Sequence, residues 1–413
     1  MEFGPVLLLF YILAVLVQLP NTRVLRLSIL PAMGILSWRY CTRYNFDGSD
    51  EPGYNLGSMT TCVSSIVLLS NTLARPDLMH AASQWFLSFL ILRATDLATS
   101  SQPFVRERFS WLPPNAPKDF TTQLKGAMLD AIDLMLNARG IGWNWGKGVY
   151  IPPFKDTSRR GPLEFLVGYL TTQVFFDFVL FAQQSWDLSP SKYPTHRYGG
   201  TIFNPDLPPL LRYGKVAAMS FICPLGLCTS FQATYYQFGF IAMTFFGQDA
   251  EQWPPIFDQP WNATSLADFW GKRWHQVFKR PFVVCGGIPG ALLFGRAGGV
   301  IGAFFVSGIM HDFAVWGAGL GTELASVTFF FLMMGVGLVL EGIWRQKTGV
   351  KVQGVWGRLW TAAWLFVWAS WIVDAWARRG LIISKMGSDA ARPSLYWVKV
   401  AQRWVELHGQ PPV

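Results

Sequence analysis

VAAMSFICPLGLCTSFQATYYQFGFIAMTFFGQ, running from Val216 to Gln248, contains no Asp, Glu, Lys or Arg. A helix needs about 20 mostly apolar residues to cross hydrocarbon, so this stretch predicts a span that is long, tilted or broken. Two further blocks, Phe3 to Thr22 and Pro52 to Ala74, are equally free of those charges, and each fits a single span. Composition agrees, since the 413 residues are 51% hydrophobic and only 14% charged. A soluble domain usually carries about 25% charged residues. The pattern excludes a soluble enzyme and points to an all-α, polytopic membrane protein.

Working outward, Leu78 to Leu92, Phe165 to Gln184 (interrupted by Asp177), Pro281 to Gly295, Ala297 to Trp316, Leu324 to Leu340 and Leu359 to Val373 are apolar enough to span when neighbours cover them. Leu27 to Trp38 is short and contains Pro31. The expectation is eight to ten transmembrane helices around an intramembrane cavity. The first block reads as a retained span, because Glu2 precedes it and no small-x-small cleavage site follows. Glu323, Glu341 and Asp374 each end an apolar run and read as helix-boundary residues.

The formal net charge of +9 does not imply nucleic acid, because the basic residues fall in the connections between apolar blocks. Short basic loops tend to be cytosolic and to meet anionic headgroups, so the lipid bilayer is the partner that the charge predicts. Cys41, Cys62, Cys223, Cys228 and Cys285 are dispersed, mostly in apolar segments, with neither a disulfide framework nor metal-ligand spacing. No metal is expected.

Four regions follow: N-terminal transmembrane helices over 1–92, a cytosolic insertion over 93–160, a membrane core over 161–376 and a basic C-terminal tail over 377–413. In the insertion, Asp119 is placed as an N-cap before Phe120, Leu124, Met128, Ile132 and Met135 at helical spacing, which predicts an amphipathic helix in the membrane interface. No internal repeat is evident, which counts against a secondary transporter.

Two constellations carry candidate chemistry. One is the polar segment Asp268-Phe-Trp270-Gly-Lys272-Arg273-Trp274-His275-Gln276, closed by Lys279-Arg280-Pro281; the other is Ser307-Gly-Ile-Met-His311-Asp312, inside the apolar run from Ala297. Ionisable residues within a span are costly and default to functional candidates, and histidine is best poised for proton transfer near neutral pH. On the face of His311 lie Ala303, Ser307, Gly308, Ala314 and Ala318, which leave either a cavity or a close helix contact. Asp312 is rotated about 100° from His311 and is not placed to orient the imidazole. A single intramembrane histidine also serves as a purely structural interhelical bond, and on the residues alone both readings stay open.

The run Trp261-Asn-Ala-Thr-Ser-Leu-Ala-Asp-Phe-Trp-Gly-Lys-Arg-Trp-His275-Gln, followed by Ile309-Met-His311-Asp312, resembles the wax-synthase-like branch of the membrane-bound O-acyltransferases. Arg139-Gly-Ile-Gly-Trp143-Asn-Trp resembles a segment of that branch found in fungal proteins. Within the branch the chain is similar to fungal O-acetyltransferases of secondary-metabolite pathways. The resemblance implies an enzyme with no bound cofactor, using acetyl-CoA or another acyl-CoA as co-substrate and a hydrophobic terpenoid or meroterpenoid alcohol as acceptor. It implies His311 as general base, with His275 assisting, although the wider family more often has Asn at the position of His275. Trp270, Trp274, Gln276 and Ser307 then join the substrate site, with Lys272, Arg273 and Arg280 toward the coenzyme A phosphates. Long-chain acyl transfer to wax or neutral lipid is the alternative, and a non-catalytic membrane protein or transporter is the third. A multi-pass protein of the endoplasmic reticulum is expected. Asn262-Ala-Thr264 matches a glycosylation sequon but abuts the polar segment and reads as fortuitous.

Overall fold

A computed structural model describes residues 3–43, 89–111, 117, 119–153, 161–186, 199–317, 320–382 and 392–408. Its regular structure is helical. The expected spans Pro52 to Ala74 and most of Leu78 to Leu92 lie outside the described residues.

The first apolar block forms α1 (Phe3–Leu16), only 14 residues long, followed by α2 (Arg23–Arg43). Helix α1 stops short of the expected span because the chain tightens at its end. The Thr22 hydroxyl donates to the Leu16 and Leu19 carbonyls, and Asn21 adopts a positive φ of 59° before α2 begins. A helix α3 covers 89–99. Arg26 of α2 closes its C-terminal end, donating to the carbonyls of Leu97 and Ser100. The insertion helix α4 (Phe120–Leu136) is capped as its sequence predicts, with the Asp119 side chain accepting from the Thr122 N–H at 3.1 Å. One face, Ala127, Ala131 and Leu134, packs on α1, while Phe120, Met128 and Ile132 stay exposed. That leaves an apolar stripe of the kind that rests on a membrane surface.

Among the described residues, four helical runs are long and apolar enough to cross a membrane: Pro162–Gln184, Pro209–Phe246, Lys279–Trp316 and Leu324–Thr348. The first two, α5 and α6, pack along one another where Gly226 admits Gln183 and Gly239 admits Phe165. Helix α6 is 38 residues long, about 57 Å at 1.5 Å per residue. It therefore exceeds a hydrocarbon thickness of about 30 Å and carries Pro224 inside an unbroken run.

The third run is not one span. At Phe294 (φ −132°, ψ 19°) and Gly295 (φ 66°, ψ −161°) the backbone leaves helical geometry and turns back on itself. The arms, α7 (279–293) and α8 (296–317), are the two separate segments that the sequence predicts. They press together through glycine. A Cβ on Gly286 would collide with the Gly302 carbonyl, and one on Gly290 with the Gly298 carbonyl. These two contacts share one antiparallel register. His275, just before the first arm, and His311, in the second, are close enough to interact electrostatically.

Helix α9 (Leu324–Thr348) lies along the hairpin, α10 (Gly354–Arg378) packs on α9 and returns to α6. Glu341 corrects the sequence reading, because it lies inside α9 and is buried. Asp374 is likewise inside α10, accepting from the Thr201 hydroxyl at 2.6 Å and the Ile202 N–H at 2.9 Å. The C-terminal helix α11 (Pro393–His408) is pinned to α5 by the Arg392–Asp177 ion pair and by the Ser394 N–H donating to Asp177. Asp177, which interrupts the apolar pattern of α5, is that anchor.

Candidate active site

Residues 266–278 form the polar floor of the site. Ser265 caps a single helical turn, Leu266–Asp268, which widens into a π-helical turn, Phe269–Arg273. Glu341 holds this from the side. Its carboxylate accepts from the Leu266 N–H at 2.7 Å, the Ala267 N–H at 3.0 Å and Trp360 Nε1 at 3.0 Å. A buried carboxylate with three donors is well satisfied, and here it fixes the start of the turn. Asp268 accepts from Arg273 Nε at 2.6 Å and from the Thr264 N–H at 3.2 Å, closing the turn on itself. Arg139, from the segment that resembles fungal relatives, donates to the carbonyls of Pro254 and Pro255 at 2.7 Å each and clamps the approach.

His275 follows the π turn. Its ring stacks on Phe231 at 4.9 Å with an interplanar angle of 6°, and Phe257, Trp274 and Phe278 wall the remaining sides. Burial first, and then the nearby His311 and Arg139, push its pKa down to about 3. It is therefore neutral across the physiological range. His275 Nδ1, Trp270 Nε1 and Gln276 Oε1 are buried without a hydrogen-bond partner, although Gln276 Nε2 donates to the carbonyls of Trp270 and Trp274. Orphaned polar atoms are rare in folded proteins. Three within seven residues mark a place where a polar ligand atom is accommodated.

His311 sits in α8, its ring against Phe331 at 4.4 Å. Its Nδ1 lies 2.7 Å from the Ser307 carbonyl oxygen, with the Ser307 hydroxyl at 3.5 Å. A carbonyl oxygen only accepts, so Nδ1 carries the proton and Nε2 keeps its lone pair. Asp312, as its rotation predicts, faces away, accepting from the Thr322 hydroxyl and from the Glu323 N–H at 2.6 Å. On the small face of α8, Gly308 resolves to close helix contact, against Thr328 of α9.

The structure thus brings together Trp270, Trp274, His275, Gln276, Ser307 and His311. The three basic candidates separate. Arg273 is committed to Asp268 and the Asp258 carbonyl, and Arg280 is paired with Asp96 through α3. Lys272 is exposed, 5.9 Å from the Tyr150 ring. Sequence reasoning missed Glu341 and Phe231 as parts of the site. Glu341 was visible as a lone acid in an apolar run, whereas nothing in the sequence singles out Phe231.

Residues 253–332 match the membrane bound O-acyl transferase family, and that stretch contains the π turn, the hairpin and both histidines. The class read from the sequence agrees with this match, and the curated proteins that the chain is similar to include both fungal acetyltransferases and plant long-chain-alcohol O-fatty-acyltransferases. It is 29% identical to acetyltransferase spyB of Aspergillus fumigatus over 32% of this chain and 26% of that protein. It is 26% identical to acetyltransferase ple2 of Rhodocybe pseudopiperita over 60% of this chain and 66% of that protein. It is 32% identical to probable long-chain-alcohol O-fatty-acyltransferase 3 of Arabidopsis thaliana over 33% of this chain and 43% of that protein. The chain thus spans less than two thirds of the length of each of these curated relatives.

Proposed function

We propose that the protein transfers an acetyl group from acetyl-CoA to a hydroxyl of a hydrophobic secondary metabolite, a terpenoid or meroterpenoid alcohol, in the endoplasmic reticulum membrane. The observation that carries the reading is the His311 Nδ1–H donated to the Ser307 carbonyl at 2.7 Å, which leaves Nε2 as a free base in an enclosed site. The acceptor oxygen attacks the thioester carbonyl as its proton passes to His311 Nε2. The C–S bond then breaks, and the thiolate leaves with that proton as coenzyme A. His275, neutral by burial, and the Trp270 indole N–H supply the donors for the acyl oxygen. The hydrophobic walls, Phe231, Phe257 and Phe331, suit an oily acceptor.

Acetyl transfer is favoured over long-chain transfer because two of the fungal relatives above are named acetyltransferases. The plant relatives support the second reading, a long-chain acyl donor. Microsomes carrying the protein, given acetyl-CoA or palmitoyl-CoA with a panel of terpenoid and fatty alcohols, separate the two. Acetyl esters of terpenoid alcohols are expected. Ester formation only with palmitoyl-CoA overturns the preferred donor, and no ester with either overturns the reaction.

A further inference from the structure

A second polar cluster lies one helical turn beyond the His275 wall. Phe89 of α3 packs edge-on to Phe278, and four residues further along the same helix stands Arg93, with none of its surface exposed. Asp96 accepts from Arg93 Nη1 and, through both carboxylate oxygens at 2.9 Å, from Arg280 Nε. Two guanidinium groups therefore share one carboxylate, leaving a net charge of +1. The rings of Phe104 and Trp145 stack at 5.5 Å beside them, with Arg93 Cζ 4.0 Å from the Trp145 ring and Arg280 Cζ 5.3 Å from it. Among the described residues, Arg93 Nε, Arg93 Nη2 and Trp145 Nε1 have no hydrogen-bond partner. All three are donors, none is an acceptor, and each is buried.

Burying an uncompensated cation is expensive, and leaving its N–H groups unpaired adds to that cost. Nearby insertion residues show the ordinary solution, since Arg106 pairs with Asp130 and Asp133, and Lys147 with Glu107. Here the missing partner is an anion with several acceptor oxygens. We propose that Arg93, Arg280 and Trp145 form a binding site for a phosphate group. Three neighbouring unpaired N–H donors and the excess positive charge match a tetrahedral oxyanion, and guanidinium forks suit phosphate geometry. Arg280, with 27% of its side chain exposed, is the outer cation past which the ligand enters. The site itself stands apart from the acyl-transfer reading, on which only the natural source of the phosphate rests: with that reading, it is coenzyme A. A lipid headgroup and free phosphate carry the same chemistry.

The test is equilibrium dialysis of the purified full chain in neutral detergent against radiolabelled pyrophosphate at fixed ionic strength. Saturable binding is expected. Arg93→Gln should weaken it about tenfold or more, as for loss of a hydrogen bond to a charged group, and Trp145→Phe should weaken it by a smaller factor. Competition by coenzyme A assigns the site to the acyl donor, competition only by phosphatidate in mixed micelles assigns it to a lipid headgroup, and competition by inorganic phosphate alone assigns it to the free ion. Each of these supports the site. Absence of saturable binding, or equal binding by wild type and both variants, overturns it. If Arg93→Gln loses its monodisperse size-exclusion peak, Trp145→Phe decides. Microsomal turnover is read separately, so a protein that forms esters without binding pyrophosphate loses the site alone, and one that binds pyrophosphate without forming esters loses the reaction alone.

Discussion

At the scale of single residues, the two histidines differ in what their surroundings permit. His311 has its tautomer set by Ser307, so His311→Ala should lower turnover by about 10² to 10⁴ while donor binding survives. His275 is stacked and neutral, so His275→Asn should keep measurable turnover through its amide N–H, and His275→Ala should fall below it. Turnover of purified variants, normalised to the monodisperse peak, checks both; a near-normal His311→Ala with a dead His275→Asn reverses the roles. His275 also makes stability depend on pH. Its pKa is depressed in the folded protein, so its contribution is complete above about pH 6.5 and is lost as pH falls from there toward about 3. The thermal midpoint should therefore drop between about pH 7 and pH 4.5 more steeply in wild type than in His275→Asn, and equal slopes would count against this. Both histidines were legible in the sequence because ionisable groups stand out against apolar neighbours. Arg273 and Arg280 were legible only as charges, since which acid neutralises each depends on contacts such as Arg280 with Asp96, far apart in the chain.

At the scale of elements, hydropathy located α5, α6, α9 and the two arms of the hairpin, because burial in lipid leaves a direct compositional trace. It misplaced Glu341, since an acid ending an apolar run and an acid capping another element's turn look the same in one dimension. Glu341→Gln should lower thermal stability by about 1 to 3 kcal/mol, because a neutral amide replaces a carboxylate that accepts from three donors. The loss is read as a lower midpoint in detergent, and an unchanged midpoint would show that the turn holds without it. The hairpin gives a sharper contrast. Gly286→Ala and Gly290→Ala each place a methyl group against a backbone carbonyl and should abolish the monodisperse peak, whereas Gly342→Ala, with open space around it, should be silent.

At the scale of the whole molecule, the insertion is bonded to the residues that flank the polar floor, through Arg139 with Pro254 and Pro255, and Asp96 with Arg280. Segments joined in this way lie on the same side of the membrane. The basic content of 93–160 and 268–280 predicts that this side is the cytosol. Cysteines introduced at Lys125 and Lys272 should both react with an impermeant reagent added outside sealed microsomes. Protection of either would refute the placement, and protection of one alone would also break the contacts described here.

The glycine-lined hairpin has a further effect on how such a chain can change over time. Side chains along its arms can be exchanged wherever a small residue is not required, but a single inserted residue in α8 would advance everything beyond it by about 1.5 Å and turn it by about 100°. His311 would then turn away from its place against Phe331. Only a matched insertion in the opposite arm would restore the register. The two arms therefore work as a vernier, and length variation is excluded from 279–317 while the connecting loops remain free to grow or shrink.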